Sequence, residues 1–423
     1  PDAVAEVKVR SYDRGSKTEQ NIDKRKGVKP ESGSDSSSPR KTKGVAGRGD
    51  VPPAEDNFEA GEVLMANPSA RLEKDLARLG MRVVDRVTLK NLDFSYVRIQ
   101  TPKKMPVRKA VGMLQSRYPS ATVDANHRYE LSAATSVGRV FPRKAAGWGA
   151  ATPNCGQGLR IGLIDGAVDV ENPILKGQQV TYRSFHDVRR NPAPTGHGTS
   201  VAAMFVGKIQ RNGWSGLVPG AELFAASMFE IDRRDHVVGS STGMLRAMDW
   251  LIEMNVHVIN MSIAGGDNEI LKKAVEIARR KRVVLVAAVG NGGLRGEPAY
   301  PAAYPEVIAV TAVDGPRRKA YGPANQGSYV DFAAPGTSMW IPTREMGKAF
   351  SGTSFAAPYL SVIVAEKIAN EDSSSDPNVL RSMIRRNVID LGRRGKDDVF
   401  GYGMVHEGPN CDLKKVQIGQ HDQ

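Results

Sequence analysis

Three short motifs place an aspartate, a histidine and a serine beside glycine residues. Asp165 lies in I-G-L-I-D-G, His197 in T-G-H-G-T-S and Ser354 in S-G-T-S-F-A-A-P. A serine hydroxyl is a weak nucleophile until a neutral imidazole accepts its proton, and that imidazole needs a buried carboxylate on its other nitrogen to fix its tautomer. The residue types therefore predict nucleophilic catalysis, with the serine as nucleophile, the histidine as general base and acid, and the aspartate as the orienting group.

Each of the three residues lies where a strand ends or a helix begins. The aspartate follows the apolar run 159–164, which is typical of a buried strand in a parallel sheet. Active sites of open α/β folds lie at the carboxyl ends of such strands. Apolar helical patterns follow His197 at 201–206 and Ser354 at 355–368. We expect the positive end of the helix dipole at the serine to favour developing negative charge.

A fourth motif, V-A-A-V-G-N-G-G at 286–293, accompanies the other three. Taken singly, a serine at a helix start is usually an N-cap, and a histidine beside glycine is usually a loop residue. All four motifs together, in the chain order Asp, His, Ser, resemble the subtilisin-like serine proteases, or subtilases. The resemblance implies hydrolysis of peptide bonds through an acyl-enzyme, with the side chain of Asn291 and the backbone N–H of Ser354 donating to the oxyanion. The alternative, from a different class of function, is a catalytically silent subtilase scaffold that binds or regulates a partner.

Composition and periodicity divide the chain into four segments. Residues 1–58 combine low hydrophobicity with mixed charge, which predicts disorder. Residues 59–135 alternate strands and helices in a pattern typical of a small ferredoxin-like α+β domain. Residues 140–411 alternate apolar strands with helices, which predicts an α/β fold, a subtilisin-like parallel sheet with helices on both faces. Residues 412–423 follow as a C-terminal tail.

The small domain lies directly before the segment that resembles a subtilase. Its strands are expected at 62–66, 83–89, 94–99, 121–123 and 128–131, and its helices at 69–79 and 107–118. Its position is similar to that of the subtilase propeptide, which implies a folding chaperone and inhibitor acting in cis. An ordinary accessory domain is the alternative. If the resemblance holds, self-cleavage is expected within Y-E-L-S-A-A at 129–134.

Substrate recognition also follows from the resemblance. One wall of the substrate cleft is expected at Ser262, Ile263, Ala264 and Gly265, the other at Ala288, Val289 and Gly290, and the floor of the specificity pocket near Ala299. Pairing with an extended substrate gives affinity through main-chain hydrogen bonds, while pockets read alternate side chains. Subtilases often have glycine at the floor, so the alanine here predicts small or medium apolar residues just before the scissile bond. The expected walls of the cleft contain no clear aspartate or glutamate, which argues against cleavage at pairs of basic residues.

Composition is typical of a large globular enzyme. With 423 residues, of which 40% are hydrophobic, the chain is long enough to bury a sizeable core. No apolar run reaches the roughly 18 to 20 residues that span a bilayer. The net charge is +13, but the basic clusters at 279–282 and 317–319 lack interleaved aromatic residues, so nucleic-acid binding is not expected. We expect a monomer whose partners are polypeptide substrates and its own propeptide.

Two cysteines, Cys155 and Cys411, flank the segment that resembles the catalytic domain. They either form a disulfide, which would suit an oxidising compartment, or remain two unpaired thiols. Polar, asparagine-containing surroundings favour the disulfide. The matching expectation is an extracellular or periplasmic protein.

Two departures from the subtilase pattern affect these expectations. The first motif reads D-G-A where D-S-G or D-T-G is usual, so Gly166 offers no hydroxyl. The segment G-K-I-Q-R-N-G-W-S-G at 207–216 does not match the calcium loop of many secreted subtilases. Calcium needs about six to eight oxygen ligands, and no carboxylate cluster supplies them in one loop. We expect no required cofactor and no strong calcium dependence, with calcium at another site left open.

Overall fold

The computed structural model describes residues 57–69, 72–131, 134–136, 138–294, 296–344, 347–370, 375–409 and 411. The predicted disordered segment 1–58 lies outside the described residues except for its last two positions, and the predicted tail 412–423 lies outside them entirely. Phe58, the last residue of the predicted disordered segment, begins a strand. The described residues all belong to one compact unit, residues 52–423.

Residues 58–131 form an antiparallel sheet with two helices against one face. The elements are β1 (Phe58–Ala66), α1 (Leu72–Arg78), β2 (Arg82–Leu89), β3 (Phe94–Gln100), α2 (Val107–Arg117) and β4 (Thr122–Leu131). The strand order β2-β3-β1-β4 is that of a ferredoxin-like domain. Alternation along β1 explains the two faces, because Val63 and Met65 pack against the helices whereas Leu64 and Ala66 face the second domain.

Strand β4 differs from its prediction. The sequence predicts two short strands, at 121–123 and 128–131, but the structure has one continuous strand, Thr122–Leu131. Asp124 lies between the two predicted strands and contacts the second domain. Its Oδ2 accepts a hydrogen bond from Glu269 N at 2.9 Å. Tertiary contacts therefore extend the strand beyond its local pattern.

The second domain contains a large, mostly parallel sheet. Its elements are β5 (Ala134–Ser136), α3 (Pro142–Ala145), β6 (Arg160–Asp165), β7 (Val180–Ser184), β8 (Asn191–Pro192), α4 (Gly196–Val206), β9 (Glu222–Ser227), β10 (Phe229–Ile231), β11 (Val237–Ser240), α5 (Ser241–Glu253), β12 (Val258–Met261), β13 (Ile263–Gly265), α6 (Glu269–Arg280), β14 (Val284–Ala288), β15 (Val307–Asp314), β16 (Lys319–Ala320), β17 (Phe332–Pro335), β18 (Met339–Ile341), β19 (Lys348–Ser351), α7 (Thr353–Asn370), α8 (Pro377–Ile384), a 3₁₀ helix (Arg385–Asn387), β20 (Val388–Ile389) and β21 (Met404–Val405). The sheet order is β20-β21-β17-β15-β14-β12-β6-β9-β7, with every neighbouring pair parallel except β20 and β21.

Helices cover both faces of this sheet, which confirms the predicted fold class. In β14, Val284 and Val286 pack on the side of α4 and α7, whereas Leu285 and Ala287 pack on the side of α5 and α6. Because both faces are buried, the strand reads as a continuous apolar run rather than an alternating one. Among the described residues, none of the helices is both long and apolar enough to cross a membrane.

The disulfide left open by the sequence is present in the structure. The sulfur atoms of Cys155 and Cys411 are bonded across a sequence separation of 256 residues. The buried side chain of Arg143 lies beside them, 3.6 Å and 3.5 Å from the two sulfurs, and donates to Gly149 O at 2.6 Å. The bridge therefore ties the segment before β6 to the segment after β21.

We predict that the Cys155→Ala/Cys411→Ala double variant is less stable than the wild type. Closing a loop of this length removes chain entropy from the unfolded state, worth at most about 5 kcal/mol. Thermal or denaturant unfolding with and without a reductant measures the effect. The double variant is the control, since a reductant should not change its midpoint, and an unchanged midpoint in the reduced wild type would contradict the prediction.

Candidate active site

Asp165 and His197 are brought together by the end of β6 and the start of α4. Helix α4 begins at Gly196, so the histidine lies in its first turn rather than before a helix starting at 201, as the sequence had suggested. His197 Nδ1 lies 2.6 Å from Asp165 Oδ1, and the carboxylate is 1% exposed. An ionised carboxylate only accepts hydrogen bonds, so Nδ1 carries the proton and Nε2 is left as the proton acceptor.

A close backbone approach holds these two segments in register. A Cβ atom on Gly198 would lie only 2.4 Å from Gly166 O, which no side chain could tolerate without moving the backbone. The carboxylate is fixed from the same loop, because Gly166 N donates to Asp165 Oδ1 at 2.6 Å. Glycine at 198 is therefore what allows the turn of α4 to lie against the end of β6.

Ser354 is the second residue of α7. Its hydroxyl donates to the carbonyl oxygen of Ser262 at 3.1 Å rather than to the histidine. The ring of His197 lies beside that of the next residue, Phe355, with centroids 5.8 Å apart. Among the described residues, Nε2 of His197 has no hydrogen-bond partner and is buried. Ser354 and His197 thus lie in one site, and no described side chain donates a hydrogen bond to Nε2, the proton acceptor.

A buried polar network fixes the serine to the cleft wall. Asn260 Nδ2 donates to Ser262 Oγ at 2.8 Å, and that hydroxyl donates to Ser354 O at 3.1 Å. The hydroxyl of Ser361, which lies about two turns further along α7, donates to Asn260 Oδ1 at 3.0 Å. All four residues are fully buried, and a satisfied network of this kind favours a single arrangement of strand and helix.

The side chain of Asn291 lies beside the start of α7. Its Oδ1 accepts two hydrogen bonds from Thr353, from the backbone N at 3.2 Å and from Oγ1 at 3.1 Å. Because both donors hold the carbonyl end of the amide, the Nδ2 donors are directed away from Thr353. The amide orientation follows from these contacts and suits donation to an oxyanion beside Ser354.

The chain's own backbone lies in the predicted substrate cleft. Strand β13 pairs antiparallel with β4, with Ile263 opposite Leu131 and Gly265 opposite Tyr129. On the other side of the serine, β19 pairs antiparallel with β5, with Ser351 opposite Ala134. Leu131 and Ala134 are thus the described residues of this segment that lie nearest to the serine in the chain's own sequence order on its two sides.

The residues predicted to form the specificity pocket also converge. Gly290 follows the buried Ala288 and Val289 at the end of β14. It faces the opposite wall of the predicted cleft at Ala264 and the predicted floor at Ala299. A Cβ atom on Gly290 would lie 3.2 Å from the Cβ of Ala299 and 3.3 Å from that of Ala264. Gly290, Ala299 and Ala264 therefore lie together, and the side chain of Asn325 lies beside them, because its Nδ2 would be 3.2 Å from the same Cβ atom.

Tyr129 occupies a second pocket along the same cleft. Its side chain is fully buried, and its hydroxyl lies 3.5 Å from Ser241 Oγ at the start of α5. A Cβ atom on Gly265 would lie 2.3 Å from the tyrosine ring, so glycine is required for the ring to lie across β13. Burial raises the pKa of Tyr129 well above its usual value, so its hydroxyl stays protonated at neutral pH.

This fold, with aspartate, histidine and serine at these positions, defines the class of subtilisin-like serine proteases. The model of the subtilase family matches residues 156–403, more than half of the chain. The chain belongs to the subtilase family.

Individual relatives agree with this assignment. The minor extracellular protease Epr of Bacillus subtilis is 32% identical over 256 residues, which cover 59% of this chain and 38% of that protein. The thermostable alkaline protease of Halalkalibacterium halodurans is 27% identical over 368 residues, which cover 82% of this chain and 95% of that protein. The crystal structure of fervidolysin from Fervidobacterium pennivorans, a keratinolytic enzyme related to subtilisin, matches with a TM-score of 0.67 at 20% identity, over 83% of this chain and 60% of that chain, and shows the fold alone.

Sequence reasoning missed two residues that shape the site. Thr353 lies in the S-G-T-S motif, but only the structure reveals its contacts with Asn291. Gly166 was noted for its missing hydroxyl, whereas the structure places it against Leu131. The sequence contained a signal for each of these residues. Thr353 directly precedes Ser354, and Gly166 stands where the usual D-S-G or D-T-G motif has a hydroxyl-bearing residue.

If Asn291 donates to the oxyanion, as the sequence predicts, we expect Thr353→Val to lower kcat about tenfold with little change in KM, because the loss of one hydrogen bond of about 1 kcal/mol loosens the Asn291 amide. Valine keeps the shape of threonine without the hydroxyl. Steady-state hydrolysis of a peptide substrate is the measurement. Thr353→Ser keeps the hydroxyl and should retain most of the activity, so equal kcat values for the valine variant and the wild type would exclude this positioning role.

Proposed function

We propose that the chain is the self-processing proenzyme of a serine endopeptidase, in which Ser354 attacks the peptide carbonyl, His197 carries the proton and Asp165 orients the imidazole. The observation that supports this most is strand β4, because the chain's own backbone fills the groove beside the serine as an extended substrate would. Strand addition of this kind binds many sequences through the main chain, while adjacent pockets read alternate side chains.

The proposed reaction begins when the serine hydroxyl turns from Ser262 O towards His197 Nε2. Catalytic hydrogen bonds often form fully only with substrate in place. Attack on the carbonyl carbon then transfers the hydroxyl proton to Nε2, and the oxyanion accepts hydrogen bonds from Asn291 Nδ2 and Ser354 N. Collapse breaks the peptide bond, Nε2 returns its proton to the leaving amine, and water hydrolyses the acyl-enzyme by the same steps.

The proposed cleavage point in the precursor follows from the strands on either side of the serine. Strand β4 ends at Leu131 and β5 begins at Ala134, so the scissile bond falls in this interval. The middle bond joins Ser132 and Ala133, two residues that lie outside the described part of the chain. Cleavage there would divide the chain close to the predicted boundary at 135.

Buried ion pairs support a role of the cleaved domain as an inhibitor. Glu59 of β1 lies 2.7 Å from Arg190 of the second domain, which also lies 2.7 Å from Glu230. Arg128 of β4 adds a third contact, 3.2 Å from Glu59. Burial by itself would raise the pKa of Glu59, but hydrogen bonds and charge from the two arginines lower it, so the carboxylate is ionised at neutral pH.

Backbone amides supply further contacts between the two domains. Asp249 on α5 accepts hydrogen bonds from Asn91 N at 2.7 Å and Leu92 N at 2.8 Å, two residues of the turn between β2 and β3. Burial raises the pKa of Asp249, against the lowering effect of these donors. Contacts of this kind desolvate both partners and bind the small domain in one orientation.

The proposal extends to the setting in which the enzyme works. The disulfide favours an oxidising compartment, and one relative is named as extracellular, so export to the periplasm or the medium is proposed. The enzyme is proposed to act as a monomer that needs no cofactor. Within the described ranges, no group of three or more His, Cys, Asp or Glu side chains is arranged to hold a metal ion.

We predict that the wild type cleaves itself between residues 131 and 134, whereas Ser354→Ala remains intact. The variant keeps the fold but lacks the nucleophile, so only the attack step is lost. Intact mass followed over time for the two purified proteins is the measurement. If neither protein is cleaved, the catalytically silent scaffold becomes the better description. Equal cleavage of both would assign the event to another protease.

We predict that Glu59→Gln shortens the delay between self-cleavage and full peptidase activity. Losing one partner of a buried charge pair costs about 2 kcal/mol or more at an interface. Inhibition by the cleaved domain should therefore weaken about 30-fold. Progress curves with a peptide substrate, started at the moment of processing, measure the delay.

Asp75→Asn provides the matched control for this experiment. Asp75 lies in the same small domain, but Arg78 and Arg117, with which it forms ion pairs at 3.5 Å and 3.2 Å, belong to that domain as well. The asparagine variant should keep the wild-type delay. The same delay in both variants and the wild type would mean that the ion pair between the domains does not hold the inhibitor.

A further inference from the structure

Asn325 is a buried asparagine that contacts the residues on both sides of Asn291. Its backbone N donates to Gly290 O at 3.0 Å, and its Oδ1 accepts a hydrogen bond from Gly292 N at 2.5 Å. The residue is 4% exposed. The peptide group before Asn291 and the peptide group after it are therefore both held by one residue from a separate part of the chain.

The same side chain also holds the turn that follows Asn291. Asn325 Nδ2 donates to Glu297 O at 3.0 Å, further along that turn. A backbone amide can only donate and a backbone carbonyl can only accept, so these two partners require an acceptor and a donor on one side chain. An amide supplies both, whereas an ionised aspartate would supply no donor and alanine would supply neither.

The backbone of the turn lies closely against this amide. A Cβ atom on Gly292 would lie 2.9 Å from Asn325 Oδ1, and one on Gly296 would lie 2.6 Å from the same atom. Real Cβ atoms essentially never make contacts this short, so a side chain at either position would displace the amide or the turn. The turn is therefore shaped around Asn325 and has little room to shift.

The support from Asn325 differs from the support that Thr353 gives. The two hydrogen bonds from Thr353 reach Oδ1 of Asn291 and so fix the direction of its amide. The position of the backbone from which that side chain extends is fixed by the two peptide groups that Asn325 binds. An oxyanion donor must lie within about 2.7 to 3.1 Å of the oxygen that it meets, so a small shift of this backbone would break the bond.

We propose that Asn325 is a positioning residue of the proposed peptidase reaction, in which it fixes the backbone of Asn291 so that the Asn291 amide meets the oxyanion. The inference rests on the proposed function, since it assumes that Asn291 donates to that oxyanion. The side chain of Asn325 acts on the turn, through Gly292 N and Glu297 O. The alternative is a purely structural role, in which Asn325 stabilises the turn and leaves the attack step unchanged.

Self-processing of the full chain is the measurement, because β4 already lies in the cleft and no substrate-binding step enters the rate. The proteins are the wild type, Asn325→Ala, Asn291→Ala and the double variant, and intact mass over time gives a first-order rate for each. We expect Asn325→Ala to slow processing about 30-fold in the wild-type background, equivalent to about 2 kcal/mol of transition-state stabilisation. Where Asn291 is already alanine, the same substitution should slow processing by less than about twofold.

A purely structural role would give a different result. Equal slowing by Asn325→Ala in both backgrounds would overturn the positioning role, and so would an unchanged rate with Asn291 in place. If the wild type is not processed, or if Asn291→Ala is processed at the wild-type rate, the proposed function fails and this inference fails with it. Thermal unfolding of the same variants with Ser354→Ala added measures any loss of stability in the uncleaved chain.

Gly292→Ala tests the same contact without changing Asn325. The backbone at Gly292 is not left-handed, so alanine is compatible with its conformation, but the new Cβ would press against Asn325 Oδ1. We expect this variant to slow processing about tenfold in the wild-type background. The effect should be smaller in the Asn325→Ala background, where the amide no longer fills the space. The same loss in both backgrounds would contradict the proposal.

Asn212→Ala is a control for the loss of a similar contact elsewhere. Asn212 Oδ1 accepts a hydrogen bond from Trp214 N at 3.0 Å, in the segment between α4 and β9. The alanine variant should be processed at the wild-type rate. Slowing equal to that of Asn325→Ala would mean that loosening any turn of this domain slows the reaction, which contradicts a specific role for Asn325.

Discussion

Main-chain pairing of β4 with β11 on one side and β13 on the other is the interaction on which the arrangement of the molecule depends. It joins the sheet of the small domain to strands of the second domain in the continuous order β2-β3-β1-β4-β11-β10-β8. Side chains alternate along a strand, so a register slip of one residue would turn Tyr129 away from Gly265 and Leu131 away from Gly166. The same hydrogen bonds therefore set the domain interface and the filling of the cleft.

The site beside this strand is held by backbone more than by side chains. The contact between Gly166 and Gly198 sets the distance between β6 and α4. That distance in turn brings the imidazole of His197 within hydrogen-bonding distance of the carboxylate of Asp165. The hydrogen bonds from Thr353 fix the orientation of the Asn291 amide, the proposed oxyanion donor. Donors that are already oriented need no reorganisation during the reaction, which is the main source of electrostatic stabilisation in such sites.

The sequence was informative where structure is local and uninformative where it depends on distant partners. The apolar run before Asp165 and the helix at 107–118 could be predicted, because burial on both faces and helical periodicity leave clear patterns. The start of α4 was misplaced, since the residues from Gly196 onwards carry no apolar periodicity although they are helical. The single strand β4 and the pair of Glu59 with Arg190 depend on contacts across the two domains, and no local pattern encodes them.

The proposed self-cleavage would leave these contacts in place but would turn them from contacts within one chain into contacts between two chains. Before cleavage β4 is held in the groove intramolecularly, at a high effective concentration, and β5 holds the chain on the other side of the serine. After the proposed cleavage, the small domain would remain bound through its own affinity, to which Tyr129 and the ion pairs around Glu59 would contribute. Glu59 lies in β1, away from the strand that enters the cleft. In the proposed proenzyme, the strength of inhibition would therefore vary through that pair while the register that presents the scissile bond stays fixed, so the rate of processing would be separate from the rate of release.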